Sequence, residues 1–222
     1  HPLALELIKK VGSPLAAPSA NKFGKTSPTK AQHVKDEFGD EVYVVDGDSS
    51  HYGIESTVLL IIKAKESFDL TILRKGSLLQ SEINQFLSTK PVSFRWVESV
   101  DKSSSPGQMK HHYMPSVPLI ICQNPNRKLA EVSQMIEVKL KELPNIVEGV
   151  QIVKPKGQIK KIEFLKLSDD PIFAAREMYS QLRSVSQRGP DVLCFIRLPH
   201  HQGELWEPLF DRLYKAAALV LD

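Results

Sequence analysis

The alternation of short apolar runs with longer amphipathic runs constrains the fold of this chain more than any other feature. In the second half, the apolar runs at 119–122 and 191–197 stand between segments whose apolar residues recur every three or four positions. Strands separated by helices of that length favour a parallel or mixed sheet covered by helices. The pattern therefore predicts an α/β fold.

The first half of the chain predicts the same mixture of elements. Helices are expected at 1–12, 29–39 and 80–88. Strands are expected at 14–21, 41–47, 55–63, 69–76 and 92–97. Pro2 suits the first turn of the first helix, Gly12 suits its C-terminal stop, and Thr29 is the expected N-cap of the second.

The stretch 98–118 has no apolar periodicity and contains three consecutive serines and three prolines. A stretch of this length and composition is either a linker or a functional loop. We place the domain boundary here. The sequence predicts a first domain at 1–98, a linker at 99–118 and a second domain at 119–222.

Composition indicates a globular chain with a mild positive charge. Of its 222 residues, 41% are apolar and 25% are charged, and the net charge is +3. No apolar run approaches the roughly 20 residues that cross a bilayer, so no membrane association is expected. Cys122 and Cys194 stand in apolar runs and predict buried, reduced thiols, as is typical of the cytoplasm. An organelle remains an alternative.

Several potential metal-binding patterns fail on inspection. The segment 46–57 begins like a calcium loop, but it has His51 where that loop requires Gly and Thr57 where it requires Glu. The adjacent pairs His111–His112 and His200–His201 point in different directions, so solvated loop histidines are the simpler interpretation. We predict no protein-bound metal.

The stretch 17–29, APSANKFGKTSPT, joins an expected strand to an expected helix and is called the serine loop below. Ligands collect at the carboxyl ends of strands in open α/β sheets, and the free N–H groups of a helix N-terminus attract anions. Its hydroxyl, amide and lysine side chains thus predict a phosphate or carboxylate site. The same residues also fit an ordinary capped turn.

Three further stretches offer polar groups near predicted strands. GIEST, at 53–57, brings a carboxylate and two hydroxyls to the start of a strand. ILRKG, at 72–76, places Arg74 beside a glycine turn, where it suits bidentate phosphate contact. Tyr113 in the linker has an amphipathic ring that can cover a pocket. An ordinary strand start and a solvated arginine are the alternatives for the first two.

In this order, APSANKFGKTSPT, GIESTV, ILRKG and SPGQMKHHYMP resemble the YrdC-type L-threonylcarbamoyladenylate synthases, in the two-domain form with a C-terminal accessory domain. Residues 174–197 are similar to that accessory domain. The resemblance implies the C-terminal half of a YrdC-like twisted open sheet, joined by a linker over the active site to a smaller Rossmann-like domain.

The activity implied by the resemblance is the synthesis of threonylcarbamoyl-AMP from L-threonine, bicarbonate and ATP, with release of pyrophosphate. Mg²⁺ is expected to share the phosphate charge. A threonylcarbamoyl transferase complex would then use the product to modify an adenosine of tRNA.

The resemblance also assigns site residues. ATP contacts fall to Ser19, Ser27, Arg74 and Tyr113. The threonine pocket falls to Ala17 and Ser56, with Asn21 and Thr57 as supports. It assigns no catalytic residue.

The resemblance starts partway through the family's catalytic domain, and its Lys-Arg-Pro motif has no counterpart in residues 1–222. We therefore expect an incomplete sheet with an exposed apolar edge, and little or no activity from this chain alone. Two other functions stay open, namely binding of tRNA or double-stranded RNA through a basic face and non-catalytic scaffolding.

Overall fold

The computed structural model describes residues 1–98, 111–147, 150–155 and 157–222, and these form a mixed α/β fold. The described strands make a three-stranded sheet, a four-stranded sheet and a two-stranded ribbon. The predicted fold class is confirmed. The limits of the two domains and the linker stay a prediction, and linker residues 99–110 lie outside the described residues.

Two helices precede the first sheet. Helix α1 spans Pro2–Val11, and Gly12 ends it in a left-handed conformation with φ 71°, its N–H bonded to the Ile8 carbonyl. Helix α2 spans Ala31–Phe38 and is followed by a 3₁₀ turn at Gly39–Glu41. None of the α1 side chains is buried, and Leu5 is 58% exposed. An apolar surface therefore lies open along α1.

Three local predictions in this region are wrong. Residues 14–21 and 41–47 form no strand. Pro14 and Pro18 remove backbone donors from the first, and no neighbouring strand pairs with either one within the described residues. Thr29 is not the N-cap, because Lys30 holds that position and the Thr29 N–H instead donates to His33 Nδ1 at 3.1 Å.

The first sheet has the order β1-β2-β3. Strand β1 (Val58–Lys63) runs antiparallel to β2 (Phe68–Arg74), and β2 runs parallel to β3 (Phe94–Trp96). Helix α3 (Gln80–Ser88) makes the crossover between the two parallel strands. The elements predicted at 55–97 are thus present, with shorter strands.

The second sheet is entirely parallel and has the order β7-β8-β4-β9. Its strands are Leu119–Cys122 (β4), Ile162–Phe164 (β7), Val192–Ile196 (β8) and Leu219–Leu221 (β9). The helices that accompany it are Leu129–Glu142 (α4), Pro171–Gln187 (α5) and Glu207–Ala216 (α6). A ribbon of Ile146–Val147 (β5) and Val150–Gln151 (β6) lies between α4 and β7. The apolar runs noted at 119–122 and 191–197 thus form the neighbouring strands β4 and β8.

The core of 119–222 has two halves, one on each face of the parallel sheet. Leu119 and Ile121 pack with α5 and α6, whereas Ile120 and Cys122 pack with α4. This division follows from the strand, because successive side chains point to opposite faces. Asp170 caps α5 by accepting from the N–H groups of the next turn. Among the described residues, no helix is long and apolar enough to cross a membrane.

Candidate functional site

A cavity of about 640 Å³ lies beside the serine loop. Ser19 and Ser27 contribute to its lining, together with Glu55 of GIEST and the first residues of α2. Tyr179 of α5 also lines it. The cavity thus joins two of the sequence stretches to a helix of the second domain.

The side of the cavity formed by the serine loop, GIEST and Tyr179 is called the wall below. Glu55 is the centre of its hydrogen-bond network. Ser27 Oγ donates to Glu55 Oε1 at 2.7 Å, and the Tyr179 hydroxyl lies 3.1 Å from both carboxylate oxygens. Arg212 Nε of α6 donates to Glu55 Oε2 at 3.0 Å. One carboxylate therefore accepts hydrogen bonds from the serine loop and from two helices of the second domain.

The Glu55–Arg212 pair is a buried ion pair. The Arg212 side chain is fully buried, and its Nη1 also donates to the Lys75 carbonyl at 2.5 Å and to Asp211 Oδ2 at 2.7 Å. Burial alone raises the pKa of Glu55, but Arg212 and the Ser27 hydrogen bond outweigh it, so the pKa falls below 4.5. Glu55 is consequently ionised at neutral pH.

Two tyrosine rings pack next to this ion pair. Tyr113 and Tyr179 have ring centroids 5.6 Å apart, and the Arg212 guanidinium lies 5.9 Å from the centroid of Tyr113. Burial and then the charge of Glu55 raise the pKa of Tyr113 to about 12, and the same causes raise the pKa of Tyr179 well above 10. Both phenols therefore keep their protons at neutral pH.

The end of the predicted linker docks on the serine loop through its backbone. Met114 N–H donates to the Gly24 carbonyl at 2.8 Å, and Thr26 N–H donates to the Met114 carbonyl at 3.2 Å. Thr26 Oγ1 donates to the Tyr113 carbonyl at 3.1 Å. Tyr113 itself has φ 68°, a left-handed conformation that is uncommon for a residue with a side chain. These bonds fix the Tyr113 ring against the wall.

Ser56, Thr57 and Arg74 form a second group next to the cavity. Arg74 Nε donates to the Ser56 carbonyl at 3.0 Å, and Arg74 Nη2 lies 3.3 Å from Ser56 Oγ. Thr57 Oγ1 donates to the Leu78 carbonyl at 2.7 Å. Gly76 is required here, because a Cβ at this position would lie 2.2 Å from the Thr57 nitrogen. The structure thus brings GIEST and ILRKG into direct contact.

The remaining predicted site residues lie on the serine loop. Asn21 Nδ2 donates to the carbonyls of Lys22 and Lys25, both at 3.0 Å, and so braces the loop. Ala17 is exposed and does not line the cavity. Ser19 and Ser27 both line the cavity. Arg74 and Tyr113 are not among its lining residues; they lie next to it, where Glu55 pairs with Arg212.

Sequence reasoning missed the contribution of α5 and α6. Besides Tyr179 and Arg212, Arg183 of α5 pairs with Glu37 of α2 at 2.8 Å and donates to the Thr26 carbonyl. The sequence of α6 does indicate a buried position for Arg212. Its apolar face is defined by Leu209, Leu213 and Ala216, and Arg212 lies on that face. A cation on the buried face of a helix calls for a buried anion.

Two family models together match nearly the whole chain. The model described as "Telomere recombination", which covers Sua5, YciO and YrdC proteins, matches residues 1–76. The model described as "Threonylcarbamoyl-AMP synthase, C-terminal domain" matches residues 78–218.

Relatives with curated names agree with these matches. The threonylcarbamoyl-AMP synthase of Pyrococcus abyssi is 32% identical over 196 residues, which cover 87% of this chain and 55% of the relative. That of Bacillus subtilis is 31% identical over 222 residues, which cover 98% of this chain and 61% of the relative. The chain therefore spans less than two thirds of the length of either relative.

A solved structure matches the fold along the whole chain. The crystal structure of P. abyssi Sua5 complexed with L-threonine has a TM-score of 0.70 and 29% identity, and the match covers 100% of this chain and 64% of that one. A variant of the same protein with a histidine and a tyrosine replaced by alanine has a TM-score of 0.68. By sequence and by fold, the chain belongs to the Sua5-type threonylcarbamoyl-AMP synthase family.

Proposed function

We propose that this chain forms one wall of an L-threonylcarbamoyl-AMP synthase site. The enzyme would be a nucleotidyltransferase that combines L-threonine, bicarbonate and ATP and releases pyrophosphate. The observation that carries the proposal is the Ser27–Glu55 hydrogen bond of 2.7 Å, which holds the serine loop and GIEST together at one cavity. The related P. abyssi protein was crystallised in complex with L-threonine, which supports the same ligand here.

In this proposal ATP contacts Ser19, Ser27, Arg74 and Tyr113. The Ser27 proton is donated to Glu55, so its oxygen offers the ligand a lone pair and not a proton. Phosphate oxygens accept hydrogen bonds, so the positive partner for them is Arg74. Tyr113 covers the site from the linker side.

L-Threonine is assigned to the area next to Ala17 and Ser56, with Asn21 and Thr57 as supports. Adenylation needs little covalent chemistry from protein groups. It needs reactants held in line, charge stabilisation at the phosphates and exclusion of water. The braced serine loop and the buried Glu55–Arg212 pair supply the rigid wall that this positioning requires.

Mg²⁺ enters this proposal only as the counter-ion of ATP. Among the described residues, the carboxylates that line the cavity are Asp48 and Glu55, and Glu55 is already bonded to Arg212, Tyr179 and Ser27. The wall thus lacks the pair of available carboxylates that a protein-bound Mg²⁺ would use. We assign no step to the ion.

The product would pass to a threonylcarbamoyl transferase complex that modifies tRNA. The free, buried thiols of Cys122 and Cys194 support a cytoplasmic, reducing location. RNA binding through a basic face is less well supported, because two lysines of the lysine-rich segment 154–161 have partners within the protein. Lys154 donates to the Leu143 carbonyl, and Lys161 pairs with Glu163 at 3.3 Å.

The proposal is tested by mapping ligand binding on the chain with amide nuclear magnetic resonance shifts. We expect ATP to shift the amides of the serine loop and of 72–76, and L-threonine to shift those of 53–57. Arg74→Gln removes a charged phosphate donor and should weaken ATP binding by about tenfold or more.

The matched control is Arg188→Gln, because Arg188 is exposed at the C-terminus of α5, away from the cavity. It should leave both affinities unchanged. Millimolar ATP and L-threonine that shift none of these amides would contradict the proposal, as would an Arg74→Gln variant that binds ATP like the parent.

A further inference from the structure

A second cavity, of about 530 Å³, lies within the second domain at the carboxyl ends of two parallel strands. Gln123 and Arg197 line it, and they directly follow β4 and β8. After β4 the chain crosses to β7 at one edge of the sheet, whereas after β8 it crosses to β9 at the opposite edge. Such a divergence of connections creates the crevice in which open α/β sheets bind their ligands.

Arg197 places a cation in this crevice. Its Nη1 donates to the Tyr214 hydroxyl at 3.1 Å, and its guanidinium carbon lies 4.6 Å from the Phe210 ring centroid. Arg197 makes no ion pair with any carboxylate in the described part of the chain, and Glu207, which lines the same cavity, pairs with Lys75. A half-buried arginine whose charge is not neutralised favours an anionic ligand.

His201 supplies a second donor beside Arg197. The Leu198 N–H donates to His201 Nδ1 at 3.1 Å, so in the neutral ring Nε2 carries the proton. Burial lowers the pKa of His201, which keeps the ring neutral. The same bond disfavours a metal at Asp169, His200 and His201, whose ligand atoms lie within 4.8 Å of one another, because a protonated nitrogen cannot be a ligand.

We propose that this cavity binds a small molecule bearing a phosphate or carboxylate group, with Arg197 as the principal partner of the oxyanion and His201 as a further donor. Its volume falls within the range of about 300–1,000 Å³ that is usual for small-molecule sites. The site lies between the strand ends of the second domain and shares no lining residue with the cavity at the serine loop.

Trp206, which lines the cavity and is 5% exposed, provides a direct probe of binding. The chain has two tryptophans, Trp96 and Trp206, so Trp96→Phe leaves Trp206 as the only fluorophore of its kind. This variant is titrated at constant ionic strength with inorganic phosphate, AMP and acetate in separate experiments. The first two probes report a phosphate ligand, and the third reports a carboxylate ligand.

We expect a saturable change of Trp206 fluorescence with at least one of the three probes. Arg197→Gln in the same background should raise the dissociation constant by about tenfold or more, whereas Arg188→Gln and Arg74→Gln should leave it unchanged. Far-ultraviolet circular dichroism confirms that each variant is folded. The proposal is overturned if no probe gives a saturable change, or if the folded Arg197→Gln variant binds as the parent does. Arg74→Gln should change binding only at the cavity beside the serine loop. A negative result for the second cavity is therefore distinguishable from a negative result for the proposed synthase site.

Discussion

At the scale of single residues, Glu55 connects the serine loop to the second domain, because it bonds to Ser27 on one side and to Tyr179 and Arg212 on the other. Its carboxylate is 19% exposed, whereas the side chain of its partner Arg212 is fully buried. Removing one member of a buried ion pair leaves the other charge without compensation, which costs more than the pair itself contributes. The effect of substitution at Glu55 should therefore be seen first in stability.

Glu55→Gln tests this expectation by chemical denaturation at several pH values. We expect the free energy of unfolding at pH 7 to fall by about 2 kcal/mol. This loss is smaller than that for breaking a fully buried ion pair, because Glu55 is partly exposed. The folded pKa of Glu55 lies below 4.5, so its contribution is complete above about pH 4.5 and is lost as the pH falls through the folded pKa. The variant should therefore lose less stability than the parent on acidification.

Glu66→Gln is the matched control, because Glu66 is exposed in the turn between β1 and β2. Its unfolding curves should follow those of the parent at every pH. A Glu55→Gln variant as stable as the parent at pH 7 would show that the pair with Arg212 does not hold the two parts together.

The residues of the wall were predictable to different degrees. Ser27 and the GIEST carboxylate stand in short polar stretches at element ends, where ligand-binding groups are expected. The partners of Glu55 could not be named from local pattern, since Tyr179 and Arg212 are separated from it by more than a hundred residues. Their approach depends on tertiary packing, which no local period encodes.

At the scale of elements, α5 supports GIEST through a backbone contact. Gly53 has φ 73°, and a Cβ at this position would lie 2.2 Å from the Arg176 carbonyl oxygen. Both the left-handed conformation and the close approach require glycine. The loop before β1 thus rests directly on the helix of the second domain.

Gly53→Ala should break this contact. Gly189→Ala is the control that separates the cost of backbone strain from the cost of the close contact. Gly189 has φ 69° but nothing within 4 Å of an added Cβ, so its alanine variant carries the cost of backbone strain alone. We expect Gly53→Ala to lose at least about 2 kcal/mol more in the free energy of unfolding than Gly189→Ala, measured by urea denaturation. Equal losses in the two variants would contradict a close contact between GIEST and α5.

Elements with their own periodicity were predicted well, and those that depend on a neighbour were not. Helix α1 and helix α3 follow the expected positions because their caps and apolar spacing are local. The apolar runs at 14–21 and 41–47 read as strands but lack pairing partners in the described residues, and Tyr43 and Val45 stand exposed. A strand needs a neighbour for its backbone hydrogen bonds, and sequence alone does not show that neighbour.

At the scale of the whole molecule, several ion pairs connect residues 1–98 to helices α5 and α6 of the second domain. Lys75 pairs with Glu207 at 2.7 Å, and Arg183 pairs with Glu37 at 2.8 Å. With the Glu55–Arg212 pair, these contacts surround the segments that the proposal assigns to ATP and L-threonine. We infer that the second domain holds the serine loop and GIEST in the arrangement that the proposed ligand binding requires.

Calorimetric titration of ATP into the parent chain and into Arg212→Lys tests this claim. Lysine keeps the positive charge but cannot make the Arg212 bonds to Glu55 and to the Lys75 carbonyl together. We predict measurable ATP binding by the parent, a dissociation constant at least about fivefold higher for folded Arg212→Lys, and no change for Arg188→Lys. Equal affinities of the parent and Arg212→Lys would contradict the claim.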